Sequence, residues 1–264
     1  MALKLLKLHL LALIIVVLSD ATGVIKIPTG VAGITINLLP LLYAMLLGGI
    51  VSYPKFKIIS KEEGETAARF MSIAMLILVA YLGLGIGPNL GRLANASLAL
   101  IMQEFGHFFG TIILGLPMAL LLKMKREAIG ACYSIDREPN IAIIAEKYGI
   151  DSPEGHGVMG MYIFGTLFGA LWCSILVGIV AQLGLFHPES LAMGVGVGSA
   201  SMMAAGINAI MEVYPDQELV IRAFAGSANL MTTIFGIYFA LFISLPVMVK
   251  IYEVVTGDRR QAAK

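Results

Sequence analysis

Charge is scarce in this chain, and its scarcity excludes more than any motif does. Only 13% of the 264 residues are Asp, Glu, Lys or Arg, against 58% hydrophobic residues, and the mean hydropathy is +0.89. Soluble domains carry about 25% charged residues, so the chain reads as a polytopic membrane protein with the lipid bilayer as its partner. The 18 basic and 17 acidic residues leave a net charge of +1, which gives no electrostatic basis for binding nucleic acid. Cysteine is nearly absent: Cys132 and Cys173 have neither metal spacing nor an evident disulfide partner. A phosphate-cradling P-loop is missing, which argues against a self-contained ATP-driven pump. No gap between apolar runs is long enough for a soluble domain.

Glycine, by contrast, is present in telling places. Gly194-Val-Gly-Val-Gly-Ser-Ala-Ser-Met-Met-Ala-Ala-Gly206 puts four glycines and two serines inside an apolar stretch long enough to cross a bilayer. Each interior glycine disfavours helix by about 1 kcal/mol relative to alanine, and in lipid a freed backbone group needs protein, ion or water as partner. A similar stretch, Gly83-Leu-Gly-Ile-Gly-Pro-Asn89, ends an earlier apolar run and leads into Arg92, Asn95 and Ser97. Pro117 and Pro246 each lie late in the next apolar helix after a stretch, 30 residues beyond Gly87 and 48 beyond Gly198. Ordinary close packing of membrane helices is the plainer reading of either cluster alone. A matched pair in two halves points instead to the binding site of a secondary transporter.

Taken in order, Leu5–Leu18 forms a first span, with Lys4 and Lys7 ahead of it in the manner of a signal peptide. The small-residue site at Ser19–Gly23 is weak, so the segment is read as a retained helix. A connector follows to Gly30, then a second span over Val31–Tyr53 and an extramembrane loop over Pro54–Arg69. Phe70–Asn95 is an interrupted span and Ala96–Met124 a long helix. The charged stretch 125–157 reads as a cytoplasmic loop with a short helix at Asn140–Tyr148. Val158–Leu185 is a span, Leu191–Val213 the second interrupted one, and Glu218–Val255 the long final helix. The expected architecture is all-α, a single membrane domain of about seven spans. It has an N-terminal helix and connector (1–30), a first repeat (31–124), the loop (125–157), a second repeat (158–255) and a tail (256–264).

Basic residues near span ends set the orientation. A cytoplasmic N-terminus puts 12 Lys and Arg on the inner side and 6 on the outer, and four of those six, Lys250, Arg259, Arg260 and Lys264, belong to the C-terminal end, which fits the scheme least well. With seven spans the two triplets have opposite orientation. That predicts an inverted 3+3 repeat whose two discontinuous helices cross near the midplane.

This arrangement resembles the bile acid and sodium symporter-like superfamily, over roughly Val31 to Val255. More specific words resemble the membrane proteins grouped as domain of unknown function 3100: Leu38-Leu-Pro-Leu-Leu-Tyr-Ala-Met-Leu-Leu-Gly48, Arg126-Glu-Ala-Ile-Gly130, Ser134-Ile-Asp-Arg-Glu-Pro139, Ser152-Pro-Glu-Gly155 and Gly198-Ser-Ala-Ser-Met-Met203. The superfamily resemblance implies a transporter of small organic solutes driven by sodium or protons. Its sodium-site residues do not carry over residue by residue.

Glu104 and His107 stand three apart on one helix face within an apolar span, an arrangement suited to proton coupling. The plainer alternative places both at the water interface. Gln103 stands where a His-Glu-x-x-His zinc helix would need its first histidine, so a zinc protease is disfavoured. Arg92 and Arg222 are candidate counter-ions for a carboxylate, unless each snorkels to an interface. Asn89, Asn95, Gly196, Gly198, Ser199, Ser201, Asn208 and Asn229 complete the candidate solute-binding set as oxygen donors, amides or glycine-made space. Ser227 belongs to the same polar group, and hydrogen bonding between helices is the bland role for each.

The resulting expectation is a secondary transporter, symporter or exporter, of a small organic solute such as a carboxylate or amino acid. It has no cofactor beyond sodium or a proton as coupling ion, acts alone or as a homodimer, and sits in the cell membrane of a prokaryote. The rivals are a membrane-embedded enzyme using Glu104 and His107, and a non-transporting membrane subunit.

Overall fold

The structure, a computed structural model, describes residues 2–30, 34–84, 86–133 and 138–258. Gly85 of the first glycine stretch, residues 134–137 of the Ser134–Pro139 word and the basic tail from 259 lie outside the described residues. The helices are α1 (Ala2–Thr22), α2 (Pro40–Val51), α3 (Lys61–Leu84), α4 (Leu90–Asn95), α5 (Ser97–Gly110), α6 (Leu116–Leu121), α7 (Glu127–Cys132), α8 (Glu138–Tyr148), α9 (Pro153–Phe164), α10 (Ala170–Gln182), α11 (Pro188–Gly196), α12 (Ala200–Val213), α13 (Glu218–Phe239) and α14 (Leu245–Thr256). Among the described residues, three helical stretches are long and apolar enough to cross a membrane: Leu5–Thr22, Ser97–Leu121 and Pro215–Thr256. Pro40–Val51, Ala170–Gln182 and Ala200–Val213 are shorter apolar helices. These features mark a membrane protein.

One short antiparallel pair, β1 (Ile25–Pro28) and β2 (Thr35–Leu38), departs from the all-α expectation, with Ile25 opposite Leu38 and Pro28 opposite Thr35. It replaces the first part of the expected second span. The β-branched residues Thr35 and Ile36 suit a strand, and helix starts only at Pro40, whose ring suits a first helical turn. The remaining twelve residues of α2 rise about 18 Å, short of a ~30 Å hydrocarbon core.

The helix α3 starts within the polar stretch 54–69, ahead of the expected interrupted span. Ser60 and Glu63 form a reciprocal capping box: the Ser60 N–H donates to Glu63 Oε2 at 2.8 Å and the Glu63 N–H to Ser60 Oγ at 3.3 Å. Lys7 adds two contacts to the Glu63 carboxylate, at 2.9 and 3.0 Å. The Ser60 backbone and then Lys7 hold the Glu63 carboxyl down to about 2.

Three helices contain a wider π turn: Thr111–Gly115 joins α5 to α6, Gly165–Gly169 joins α9 to α10, and Ala240–Ser244 joins α13 to α14. Two of them directly precede Leu-Pro steps, at Pro117 and Pro246. Proline lacks the donor for the carbonyl four residues back and its ring clashes there. A wider turn relieves both without breaking the rod. The paired prolines noted in the sequence thus have like surroundings.

The segment 125–157 is not a solvated loop. Residues Ala128 to Cys132 are all buried, and α7 crosses α9 almost backbone to backbone. A Cβ on Gly130 would lie 1.9 Å from the Glu154 carbonyl oxygen, and one on Gly157 2.0 Å from that of Glu127. Ser244 Oγ donates to the Tyr133 carbonyl, and Tyr133 Oη to that of Asn140 at 2.5 Å. Arg126 pairs with the buried Glu154 at 2.8 Å. The short helix expected in this segment is present as α8, Glu138–Tyr148 against Asn140–Tyr148.

Contacts also fix the direction of each helix. At one end of the bundle Gln182 binds Thr35, Lys26 meets Glu212 at 2.9 Å, Tyr214 Oη donates to the Ala181 carbonyl, and Asn89 Nδ2 reaches that of Leu219. We call this the strand end. At the opposite end, the loop end, Arg126 donates to the Asp258 carbonyl at 3.4 Å, so the central segment and the C-terminal region lie together. The seven-span scheme places them on opposite sides, and this contact overturns that arrangement. Glu104 meets Thr232, Phe108 stacks on Phe239, and Gly115 and Ser244 both reach the Cys132–Tyr133 end of α7. Hence α5–α6 and α13–α14 run side by side in the same direction, not inverted.

The interrupted span Leu191–Val213 is the reason. It is a helical hairpin, not a crossing helix. A Cβ on Gly206 of α12 would lie 2.5 Å from Val195 Cγ1 of α11, which eleven residues of continued helix would hold about 16 Å away. Meanwhile α12 runs parallel to α10, with Gly169 against Met202, Gly178 against Ala209 and Ala181 against Tyr214.

Candidate functional site

The turn of this hairpin is buried between helices. Pro188 starts α11 after His187, and α11 ends where Gly196-Val-Gly198 loosens the chain. Ser199 takes an extended conformation (ψ 160°) and its hydroxyl accepts the Met202 N–H at 3.4 Å, capping α12. Ser201 joins it at 3.1 Å. The carbonyls freed at the end of α11 face Asn229 of α13, whose Nδ2 donates to Gly196 O at 2.9 Å and Gly198 O at 3.3 Å. In an apolar medium such carbonyls need a partner, and Asn229 supplies it. Asn229 is the twelfth residue of α13, about 17 Å from its start, so the turn meets α13 midway along that helix.

Gly196 is where α11 and α13 touch. A Cβ there would fall 2.5 Å from the Ala225 carbonyl oxygen and 2.7 Å from the Ala228 Cβ, a small-residue contact that brings two backbones together. The expected role of Gly196 in making room for solute is therefore taken by protein.

One turn along α13, Thr232 Oγ1 donates to Glu104 Oε1 at 2.6 Å and also lies 3.0 Å from the Ala228 carbonyl. Glu104 Oε2 is 3.5 Å from His107 Nδ1, a long contact. Glu104 is only 8% exposed and His107 7%, so both belong to the protein interior, not the water interface. His107 stacks on Phe108, which stacks on Phe239. Beside them on α5, the Gln103 side-chain amide is shielded with no hydrogen-bond partner at either atom. A buried amide left so is a place for a bound water or ligand. Burial pushes the Cys132 thiol up to about 11, which makes it a poor nucleophile.

The structure thus brings together Gly196, Gly198, Ser199, Ser201, Asn229, Glu104 and His107 of the candidate set. It leaves the rest elsewhere. Arg222 pairs with Glu218 at 2.9 Å and lies over the Tyr81 ring at 5.2 Å, near the strand end. Arg92 and Asn95 are exposed on α4, and Asn89 lies against Leu219. Asn208 is nine residues past Ser199 on α12. The two glycine stretches are therefore not one crossing: Asn89 meets the first turn of α13, whereas Gly196 meets it two turns further in. Thr232 and Gln103 were not singled out from sequence. Thr232 carried a signal, a polar residue three after Asn229 and so on the same face of an apolar helix.

Among the described residues no group of three or more His, Cys, Asp and Glu is placed to hold a metal ion. No curated protein matches the chain, and no solved structure does. The resemblance to the bile acid and sodium symporter-like superfamily gains no support from these comparisons. One family profile, described as Protein of unknown function (DUF3100), matches residues 17–254, which is nearly the whole chain. The chain belongs to that family.

Proposed function

We propose that the chain is a secondary transporter of a small organic solute, a carboxylate or amino acid, with its site at the buried turn of α11–α12 and Glu104 as proton-coupling group. The observation that carries the reading is the buried turn against the middle of α13, with its half-helix ends one helical turn from a buried carboxylate. Half-helix ends at mid-membrane suit ionic solutes, because the start of α12 offers N–H groups and the end of α11 carbonyls. A titratable carboxylate in an apolar span is costly to keep unless it does something.

The reading retains the turn and gives up the inversion. Six passes between the loop end and the strand end (α1, β2 with α2, α3, α5–α6, α9–α10 and α13–α14), with one re-entrant hairpin, return the C-terminus to the side of the N-terminus. Of the described Lys and Arg residues, only Lys26, Arg92 and Arg222 then lie toward the strand end. That satisfies the positive-inside rule with the loop end cytoplasmic, and Lys250 of α14 then lies toward the cytoplasmic end. Proton coupling is favoured over sodium because Asn229 already occupies the carbonyls a cation would need. The enzyme reading has less support: Thr232 faces the carboxylate, whereas an activated nucleophile faces the imidazole.

The test is uptake into liposomes under an imposed proton gradient, with a panel of carboxylates and amino acids. Glu104→Gln keeps the Thr232 hydrogen bond and removes the titrating group. It is expected to leave an inserted protein whose uptake no longer varies with pH. Absence of gradient-driven uptake for the whole panel, or overlaid pH profiles of parent and variant, would overturn the proposal.

A further inference from the structure

The helices around Glu104 bring it no fixed positive charge. α5, α11 and α12 contain no Lys or Arg, and the one in α13 is Arg222, ten residues or about 15 Å before Thr232 and paired with Glu218. Arg92 of α4 stands exposed twelve residues before Glu104, Glu189 lies in the first turn of α11, and Glu212 near the end of α12 pairs with Lys26. The Ala240–Ser244 turn has no ionisable side chain. Among the described residues of these elements, His107 is the one group beside Glu104 able to become positive, and at most it balances the carboxylate.

The two oxygens of Glu104 differ. Oε1 receives the Thr232 hydroxyl at 2.6 Å, whereas Oε2 has only the 3.5 Å contact with His107 Nδ1. An ionised carboxylate is acceptor-only with capacity at both oxygens, so Oε2 can take a further strong donor. Gln103 precedes His107 by four residues and shares its face of α5. Both its amide atoms are shielded without a hydrogen-bond partner, so its Oε1 also needs a donor. A simple carboxylate brings no donor and is repelled by Glu104. An ammonium brings three.

Given the transport function proposed for this site, we infer that its solute carries a protonated amine, as an α-amino acid does, and is exchanged for a proton at Glu104. The ammonium is held by Glu104 Oε2 and Gln103 Oε1, and the α-carboxylate by the N–H groups at the start of α12. Ammonium and proton need the same carboxylate. Glu104 gives up its proton when the ammonium binds and takes one up when the ammonium leaves, so each weakens the other's binding and the two cross in opposite directions.

The test uses the full chain in liposomes that hold a pH-sensitive dye and an acidic interior. L-Alanine, L-leucine, L-glutamine and L-lysine are each supplied alongside the hydroxy acid in which a hydroxyl replaces the α-amine, with protein-free liposomes as blank. Expected is entry of amino acids but not of hydroxy acids, with proton exit beyond the blank. Gln103→Leu removes no hydrogen bond to the protein. It is expected to keep the melting temperature and to raise KM for the amino acid about tenfold. Entry of the hydroxy acids at the rate of the amino acids overturns the amine assignment and leaves a transporter standing. Protons that enter with the amino acid overturn the exchange, and an unchanged KM in Gln103→Leu overturns the Gln103 contact. No flux of either class under either direction of gradient overturns the transport function itself, and this solute with it.

Discussion

Two glycine-rich stretches of nearly the same composition do different things in this molecule. At 83–96 the chain turns between α3 and the α4–α5 pair at the strand end, where Cβ atoms on Gly83, Gly87 and Gly91 would meet nothing within 4 Å. At 194–206 it also turns, but inside the bundle, where Gly196 and Gly206 each sit against a neighbouring helix with less than 3 Å to spare. The first stretch uses glycine and Pro88 to loosen an exposed turn. The second uses glycine to let three helices approach. Composition signals that a backbone needs freedom or closeness, and only the neighbours decide which.

The sharpest way to break this comparison is topology, because its outcome is all or none. A re-entrant second stretch puts Asp258 on the same side as Lys125, whereas a crossing one puts it opposite. In a Cys132→Ala/Cys173→Ala background, single cysteines at Asp258 and Lys125 are expected to react with an impermeant thiol reagent from one side, and a cysteine at Lys26 from the other. Labelling of Asp258→Cys from the Lys26 side would restore a crossing helix.

The next largest effect is packing. Gly196→Ala places a methyl group 2.5 Å from the Ala225 carbonyl oxygen, with backbone on both sides and no flexible side chain to yield. Overpacking of this kind costs about 1–3 kcal/mol. Gly83→Ala, in the last turn of α3 with open space around it, is expected to gain up to about 1 kcal/mol from helix propensity. Thermal melts in one detergent should move in opposite directions. Equal shifts would mean the two stretches pack alike.

The sequence made the long final helix, the α9–α10 rod and the α8 helix legible, because each is a run of good helix formers between strong punctuation: Ser152-Pro153 before α9, Pro215 before α13, Gly257 after α14. Both glycine stretches were visible as interruptions. What was not visible is whether the chain continues or folds back, since that depends on Val195 meeting Gly206, a contact between two arms that local sequence does not specify. The burial of α7 was hidden for a related reason. Its charged neighbours read as solvent-facing, and only the Gly130–Gly157 crossing shows why Ala128 to Cys132 are inside. Of the site, Glu104, His107 and Asn229 were found as polar residues in apolar helices. Arg222 drew attention by its charge, which Glu218 satisfies near the strand end, and Arg92 by following the break at Pro88 and Asn89, where it stands exposed.

The smallest effect sharpens the comparison through pH. The helix that leads into the first stretch is anchored at its far end by Glu63, held down to about 2 by the Ser60 N–H and by Lys7. The turn of the second is anchored by Asn229, which does not titrate. A carboxyl depressed in the folded state stabilises it above the ordinary value of 4.5, and that contribution is lost as pH falls through the depressed one. Glu63→Gln should therefore lower the melting temperature at pH 6–7, and its difference from the parent should shrink between pH 4.5 and about 2. Asn229→Ala removes two bonds to buried carbonyls, at a cost of about 1–3 kcal/mol, and its difference from the parent should hold constant over the same range. A Glu63→Gln difference that stays constant down to pH 2 would mean that Ser60 and Lys7 do not act on an ionised Glu63. α3 would then be held by packing alone, as α11 is at Gly196.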